Sequence, residues 1–282
     1  MKRRLATASR ITPTRLLGML LGCFLAGGAH GQSGDRIVID GSTGVRPLVA
    51  ALAKAYRERH PGIVIEIGKG LGTKARIQAL ADGRIDIAMA SHGLVVEDIV
   101  KRGMTVQEIA KVAVVFGVNA AVPVQKLGDQ QVCGLYSRRA ASWKDVGGPD
   151  IPVVPMARPD SEVDTEVARA RVACLSELQM PDSVQMMAKS GDMARALAST
   201  AGAFGMTTMT VVEQSRAKIR PIWLNGIEPS PGNVRSGAYA LTRDSFLVTQ
   251  AARSATVARF LEFVRSPDGK RIISANGAVP LD

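Results

Sequence analysis

The stretch Ile37–Leu48, "IVIDGSTGVRPL", decides the fold. Three apolar residues, Ile37, Val38 and Ile39, stop at Asp40. Gly41, Ser42, Thr43 and Gly44 follow, and then Val45, Leu48, Val49, Leu52 and Tyr56 recur at helical spacing. A buried strand therefore turns through small, hydroxylated residues into the start of a helix. Ser42 or Thr43 can cap that helix by accepting an amide hydrogen bond. The same turn, at the positive end of a helix, can hold an anion. The helix ends at "ERHPG", where Pro61 and Gly62 stop it.

Two further units follow in the same style. "IVIEIG" (Ile63–Gly68) reads as a second strand. "KGLGTKARIQALADGRIDIAMAS" gives a Gly-rich turn, a helix through Ala75–Ala81, a stop at Gly83 and a third strand at Ile85–Ala90. Strand, helix, strand, helix, strand predicts an α/β class with a parallel sheet. Binding sites in such sheets lie at the carboxyl ends of strands. Those ends carry "DGSTG", "GKGLG" and "ASHG". Further on, a strong strand is expected at Val112–Asn119, a short helix in "KLGDQQVCGLYS", a strand at Ile151–Met156 and a helix from about Asp164. "DMARALASTAGAFGM" reads as helix, glycine turn and strand, and the chain ends as a helix, a turn and a short helix.

The first 31 residues differ from the rest. Lys2, Arg3, Arg4, Arg10 and Arg15 are unopposed by any acid, Leu16–Leu25 is apolar, and Ala29 and Gly31 stand at −3 and −1 of a cleavage site before Gln32. This is the pattern of a secretory signal peptide, with an apolar core too short for a comfortable membrane span. A lipoprotein signal ending at Cys23 is the rival reading. Export places the mature chain in the periplasm. The whole chain carries +11; removing five basic residues leaves 31 basic against 25 acidic ones, or +6. Those charges are scattered and aromatics are few, so nucleic-acid binding has little support. A mild positive field draws in small anions.

Cys133 and Cys174 remain after cleavage. An oxidising compartment permits a disulfide between them, but spacing alone does not decide it. The mature histidines are His60 and His92, and no His/Cys/acid cluster has metal spacing. "IEIGKGLG" with Asp86 downstream imitates a dinucleotide turn, but its spacing is not G-x-G-x-x-G. Phosphate-loop, zincin and nucleophile-elbow motifs are absent from the sequence. No catalytic residues, no cofactor and no metal are expected.

Eight segments in order resemble the phosphate-binding proteins of bacterial ABC transporters: "GSTGVRPL", the helix ending before "HPG", "GKGLGTKARI", "GRIDIAMAS", "VNAAVPVQKLGDQQ", "YSRRAASWKDVGGPDIP", "TAGAFGM" and "NGIEPSPGNVRSGAYALTR". The resemblance implies a type II periplasmic binding protein fold, with two α/β domains and a ligand cleft between them. Domain 1 is then discontinuous, 32–118 plus 236–282, with domain 2 at 119–235. The implied partners are phosphate or a related oxyanion and an inner-membrane permease, with the chain itself a monomer.

The ligand set implied by position is Ser42, Thr43, Gly70, Leu71, Gly72, Ser91, His92, Arg158, Ser161, Asp164 and Thr165. Three of its four parts depart from the family pattern. Leu71 replaces a serine between two glycines. His92 stands where the family has an aspartate that accepts the proton of hydrogen phosphate. "RPDSEVDT" (Arg158–Thr165) brings carboxylates to a segment that in the family is arginine, serine, glycine and threonine. Carboxylates beside a dianion repel it when desolvated, unless they are a solvated first helical turn. A non-transport relative with a sensory or protein-binding role is the alternative.

Overall fold

The computed structural model describes residues 36–91 and 94–281. The signal segment, its cleavage point, Cys23 and His92 lie outside the described residues. The strands are β1 (Arg36–Gly41), β2 (Val64–Ile67), β3 (Ile87–Ser91), β4 (Met104–Asn119), β5 (Lys126–Leu127), β6 (Val154–Ala157), β7 (Gln185–Met186), β8 (Ala203–Thr208), β9 (Ile219–Pro221), β10 (Trp223–Leu224), β11 (Thr242–Gln250) and β12 (Ala278–Pro280). The helices are α1 (Arg46–Arg59), α2 (Thr73–Ala81), α3 (Val96–Lys101), α4 (Asp129–Tyr136), α5 (Val163–Arg171), α6 (Ala173–Ser176), α7 (Ser190–Ser199), α8 (Met209–Gln214), α9 (Pro231–Arg235), α10 (Ala255–Arg265) and α11 (Pro267–Ala275).

The main sheet runs β2-β1-β3-β11-β4-β8-β6-β7, with β9 and β12 also paired to β4. β1 pairs in parallel with β2 and with β3, as the βαβ reading expects. The sheet as a whole is mixed, not parallel. β11 inserts antiparallel between β3 and β4, at Leu247↔Met89 and Leu247↔Gln107. Local periodicity reads only strands joined by nearby helices. A strand arriving from more than a hundred residues away leaves no trace in the pattern of β3 or β4. β4 is also longer than expected. Its first half pairs with β11 and its second half with β8 and β9.

Apolar burial follows this division of β4. One cluster holds Ile37, Ile39, Leu48, Leu52 and Tyr56 with Phe260 and Phe263 of α10. Ile77, Leu80, Ala88 and Val248 form a smaller cluster beside it. Another holds Val114–Phe116, Val132, Trp143, Leu197 and Phe204. Phe116 and Phe204 stack at 5.7 Å, and the Trp143 ring stands edge-on to Phe204 at 6.0 Å. Trp143 Nε1 donates to the Gly202 carbonyl at 2.9 Å, so this buried ring leaves no polar atom unpaired. Truncating such an aromatic costs about 3–5 kcal/mol.

Cys133 of α4 and Cys174 of α6 are joined in a disulfide, with Cα atoms 6.2 Å apart and a separation of 41 positions along the chain. The sequence left this bridge open; the fold closes it. No helix among the described residues is long and apolar enough to cross a membrane.

Candidate functional site

The turn after β1 answers the question of its own sequence. Ser42 and Thr43 do not cap α1. The residue before the helix is Val45, and no side chain caps it. Ser42–Val45 already form a turn, closed by the Arg46 amide on the Ser42 carbonyl, and Pro47 supplies a first-turn residue that needs no amide partner. The Ser42 hydroxyl instead lies 3.5 Å from that of Ser91, at the end of β3. The Ser42 amide is spent on the Met89 carbonyl, while the amides of Thr43 and Gly44 have no backbone partner among the described residues.

Asp40 ties this turn to the next one. Its Oδ1 accepts from the amides of Gly41 (2.7 Å) and Gly70 (2.9 Å). The Leu71 amide donates to the Gly41 carbonyl at 2.9 Å. Gly70 has φ +112°, and a Cβ there would lie 2.4 Å from the Thr43 methyl, so the two turns approach as closely as they do only with glycine. The amides of Gly70 and Leu71 are therefore consumed within the turn. Those still open begin at Gly72, in the unpaired first turn of α2. The Leu71 side chain packs against the cluster around Ile77 and Leu80.

These turns line a cleft of about 370 Å³. Of the expected ligand set, Ser42, Thr43, Gly70, Leu71, Gly72, Ser91, Ser161 and Asp164 line it. Arg158 and Thr165 do not. Arg158 is buried behind the wall, donating to Ser190 Oγ at 2.6 Å and to Glu162 Oε2 at 2.5 Å. The Thr165 hydroxyl donates to the Arg158 carbonyl at 3.2 Å.

Arg76, Lys189, Ser190 and Arg243 also line the cleft and were not among the residues expected there. Ser190 accepts from Arg158, which leaves its own hydroxyl proton free to donate into the cleft. Arg76 is 6% exposed, and its Nε has no partner. Burial pushes its guanidinium below the usual arginine value, and the charge of Glu162 partly offsets that. Arg243, 2% exposed, sits at the start of β11. Its Nε lies 3.1 Å from Asp164 Oδ1, without the geometry of a hydrogen bond. A Cβ on Gly44 would lie 2.6 Å from Arg243 Nη1, so the turn passes directly over the guanidinium.

The electrostatics follow. Three cations (Arg76, Lys189, Arg243) and two carboxylates (Glu162, Asp164) line the cleft, and each carboxylate is paired with an arginine. The feared repulsion is thus neutralised at close range. The first turns of α2, α5 and α7 all open here, and none has a side-chain cap. Free amides at helix starts carry partial positive charge and favour anions. Among the described residues no group of three or more His, Cys, Asp or Glu could hold a metal ion.

A family model described as a PBP superfamily domain matches residues 26–268. The chain belongs to the PBP superfamily. Its architecture is the type II PBP fold, and the comparisons bear out its resemblance to phosphate-binding proteins. The phosphate-binding protein PstS of Bacillus subtilis is 23% identical over 258 residues, covering 91% of this chain and 84% of PstS. Protein SphX of Synechococcus elongatus is 26% identical over 264 residues, covering 87% of this chain and 77% of SphX. A Clostridium perfringens protein described as a phosphate ABC transporter substrate-binding protein, solved with bound phosphate, superposes with a TM-score of 0.71 at 25% identity, covering 88% of this chain and all of that one. A phosphate transport receptor of Vibrio cholerae shares the fold at TM-score 0.59 and 24% identity, over 86% of this chain and 99% of its own. Of these relatives, PstS is named as a phosphate-binding protein and the Clostridium protein as a substrate-binding one.

Arg243 had one sequence signal. It is the lone cation of the "SGAYALTR" segment, just ahead of the apolar Phe246, Leu247 and Val248 of β11. Arg76, Lys189 and Ser190 had none, because a helix face or a loop gives no hint of which cleft it will meet.

Proposed function

We propose that this chain is the exported solute-binding component of a phosphate ABC transporter. It captures phosphate or a related oxyanion, without catalysis, and presents it to a permease in the inner membrane. The observation that carries this reading is the convergence of uncapped helix starts, free hydroxyls and two buried arginines on one cleft. Phosphate binding by the named relatives supports the choice of ligand.

The two larger apolar clusters, which meet along β4, are two lobes in this proposal, and closure between them traps the ligand. Ser42, Thr43, Ser91, Arg76 and Arg243 contribute from one lobe, and Ser161, Asp164, Lys189 and Ser190 from the other. Arg158 acts from behind, by holding Glu162 and orienting Ser190. The disulfide suits an oxidising compartment such as the periplasm.

The test is a binding titration of the protein without residues 1–31 against phosphate, sulfate, molybdate and arsenate. Saturable one-to-one binding of phosphate, lost in Arg243→Ala, supports the reading. No binding across the panel moves the chain to the sensory or protein-binding alternative.

A further inference from the structure

The cleft does not end at the inner cavity. A second cavity of about 450 Å³ adjoins it, and Thr43 and Lys189 line both. Four cations meet there from three parts of the chain: Arg46 in the first turn of α1, Lys69 in the turn after β2, and Lys189 and Arg195 at the start and middle of α7. The carboxylate among them, Asp192, is already taken by Arg195. The side chains of Arg46, Lys69 and Lys189 have no ion pair or hydrogen bond among the described residues. The uncapped first turn of α7 stands at the junction, with Ser190 in the inner cavity and Gly191 in the outer one.

In the oxyanion reading, Arg76, Arg243 and the helix starts that line the inner cavity serve a single phosphoryl group. The outer cations are then left facing one another, and like charges gathered around a concave surface attract a counter-ion. We infer that the cleft accepts a linear phosphoanhydride, of which inorganic pyrophosphate is the smallest, with its terminal phosphoryl in the inner cavity and the next one among Arg46, Lys69 and Lys189. This rests on the oxyanion reading of the inner cavity and extends its substrate class.

The experiment titrates the protein without residues 1–31 with orthophosphate, pyrophosphate and glycerol 3-phosphate, beside the double variant Arg46→Ala/Lys69→Ala. Both substituted side chains are exposed and lie outside the inner cavity. Pyrophosphate is expected to bind about ten-fold more tightly than orthophosphate, with glycerol 3-phosphate gaining nothing. The double variant is expected to erase that gain while orthophosphate affinity stays within about two-fold. Pyrophosphate binding no tighter than orthophosphate, an equal gain for glycerol 3-phosphate, or a parallel loss for both phosphates in the double variant overturns the inference alone. Failure of every ligand to bind overturns the oxyanion reading as well.

Discussion

Residues 41–44 and 70–73 meet residues 161–164 and 188–190 across the same cleft, and the two faces present their donors differently. On the first face, neutral hydroxyls and amides are fixed by backbone. Asp40 spends its carboxylate on two amides, Gly70 gives way to the Thr43 methyl, and nothing acidic reaches the cavity. On the second face, acids do reach the cavity, and buried arginines hold them. Arg158 holds Glu162, and Arg243, reaching over from β11, stands against Asp164. Neutral donors on a rigid turn need no compensating charge. Carboxylates at a helix start are compatible with a bound anion only while their arginines remain.

That contrast breaks most severely at Arg243. Arg243→Ala strands the buried Asp164 carboxylate, which is expected to cost about 3–5 kcal/mol of stability and to lower phosphate affinity by about a hundred-fold. Thermal unfolding and calorimetric titration read the two effects. Arg243→Lys keeps the charge but not the flat, multi-donor head, and is expected to recover stability more than affinity.

The disulfide lies beside the second face, joining α4 to α6, the helix that follows α5. Replacing both cysteines with serine is expected to lower stability by about 2–4 kcal/mol, by freeing a 41-residue loop in the unfolded chain. Phosphate affinity is expected to stay unchanged, because neither cysteine lines the cleft. A matching loss of affinity shows that the charged face depends on distant bracing where the neutral face does not.

Ser42→Ala sharpens the neutral face. A helix cap lost there costs about 1 kcal/mol of stability and leaves binding alone. The observed geometry expects the reverse: an unchanged melting temperature and a loss of affinity of several-fold to ten-fold, the weight of one hydrogen bond to an anion. The smallest expected effect is at Glu162→Gln. It keeps an acceptor for Arg158 and removes one half-exposed negative charge, so phosphate affinity rises by about two-fold to five-fold, more at low salt than at high.

How much of this was legible in the sequence differs between the two faces for a physical reason. The neutral face is local. Strand, turn and helix follow one another in "IVIDGSTGVRPL" and again in "IVIEIGKGLGTKARI", so periodicity and turn chemistry expose them. Even there, the hydroxyl at a helix start suggested a cap that Pro47 and the preceding turn made unnecessary. The charged face is assembled from afar. Arg243 lies about two hundred residues from Gly44, which it underlies, and it arrives on a strand whose antiparallel insertion no neighbouring pattern announces. Arg158 was legible as an arginine beside the site. Its direction was not, because Glu162 and Ser190 capture it only once α5 and α7 are packed together.

The most direct test of the paired-charge cleft is calorimetric titration of orthophosphate into the protein without residues 1–31, run in parallel on the parent, Arg243→Ala and Arg158→Ala. One-to-one binding by the parent is expected, with a dissociation constant below about 1 mM. A far greater loss is expected for Arg243→Ala, which faces the cavity, than for Arg158→Ala, which stands behind it. A larger loss at Arg158 than at Arg243, or a parent that binds no orthophosphate, contradicts the paired-charge cleft.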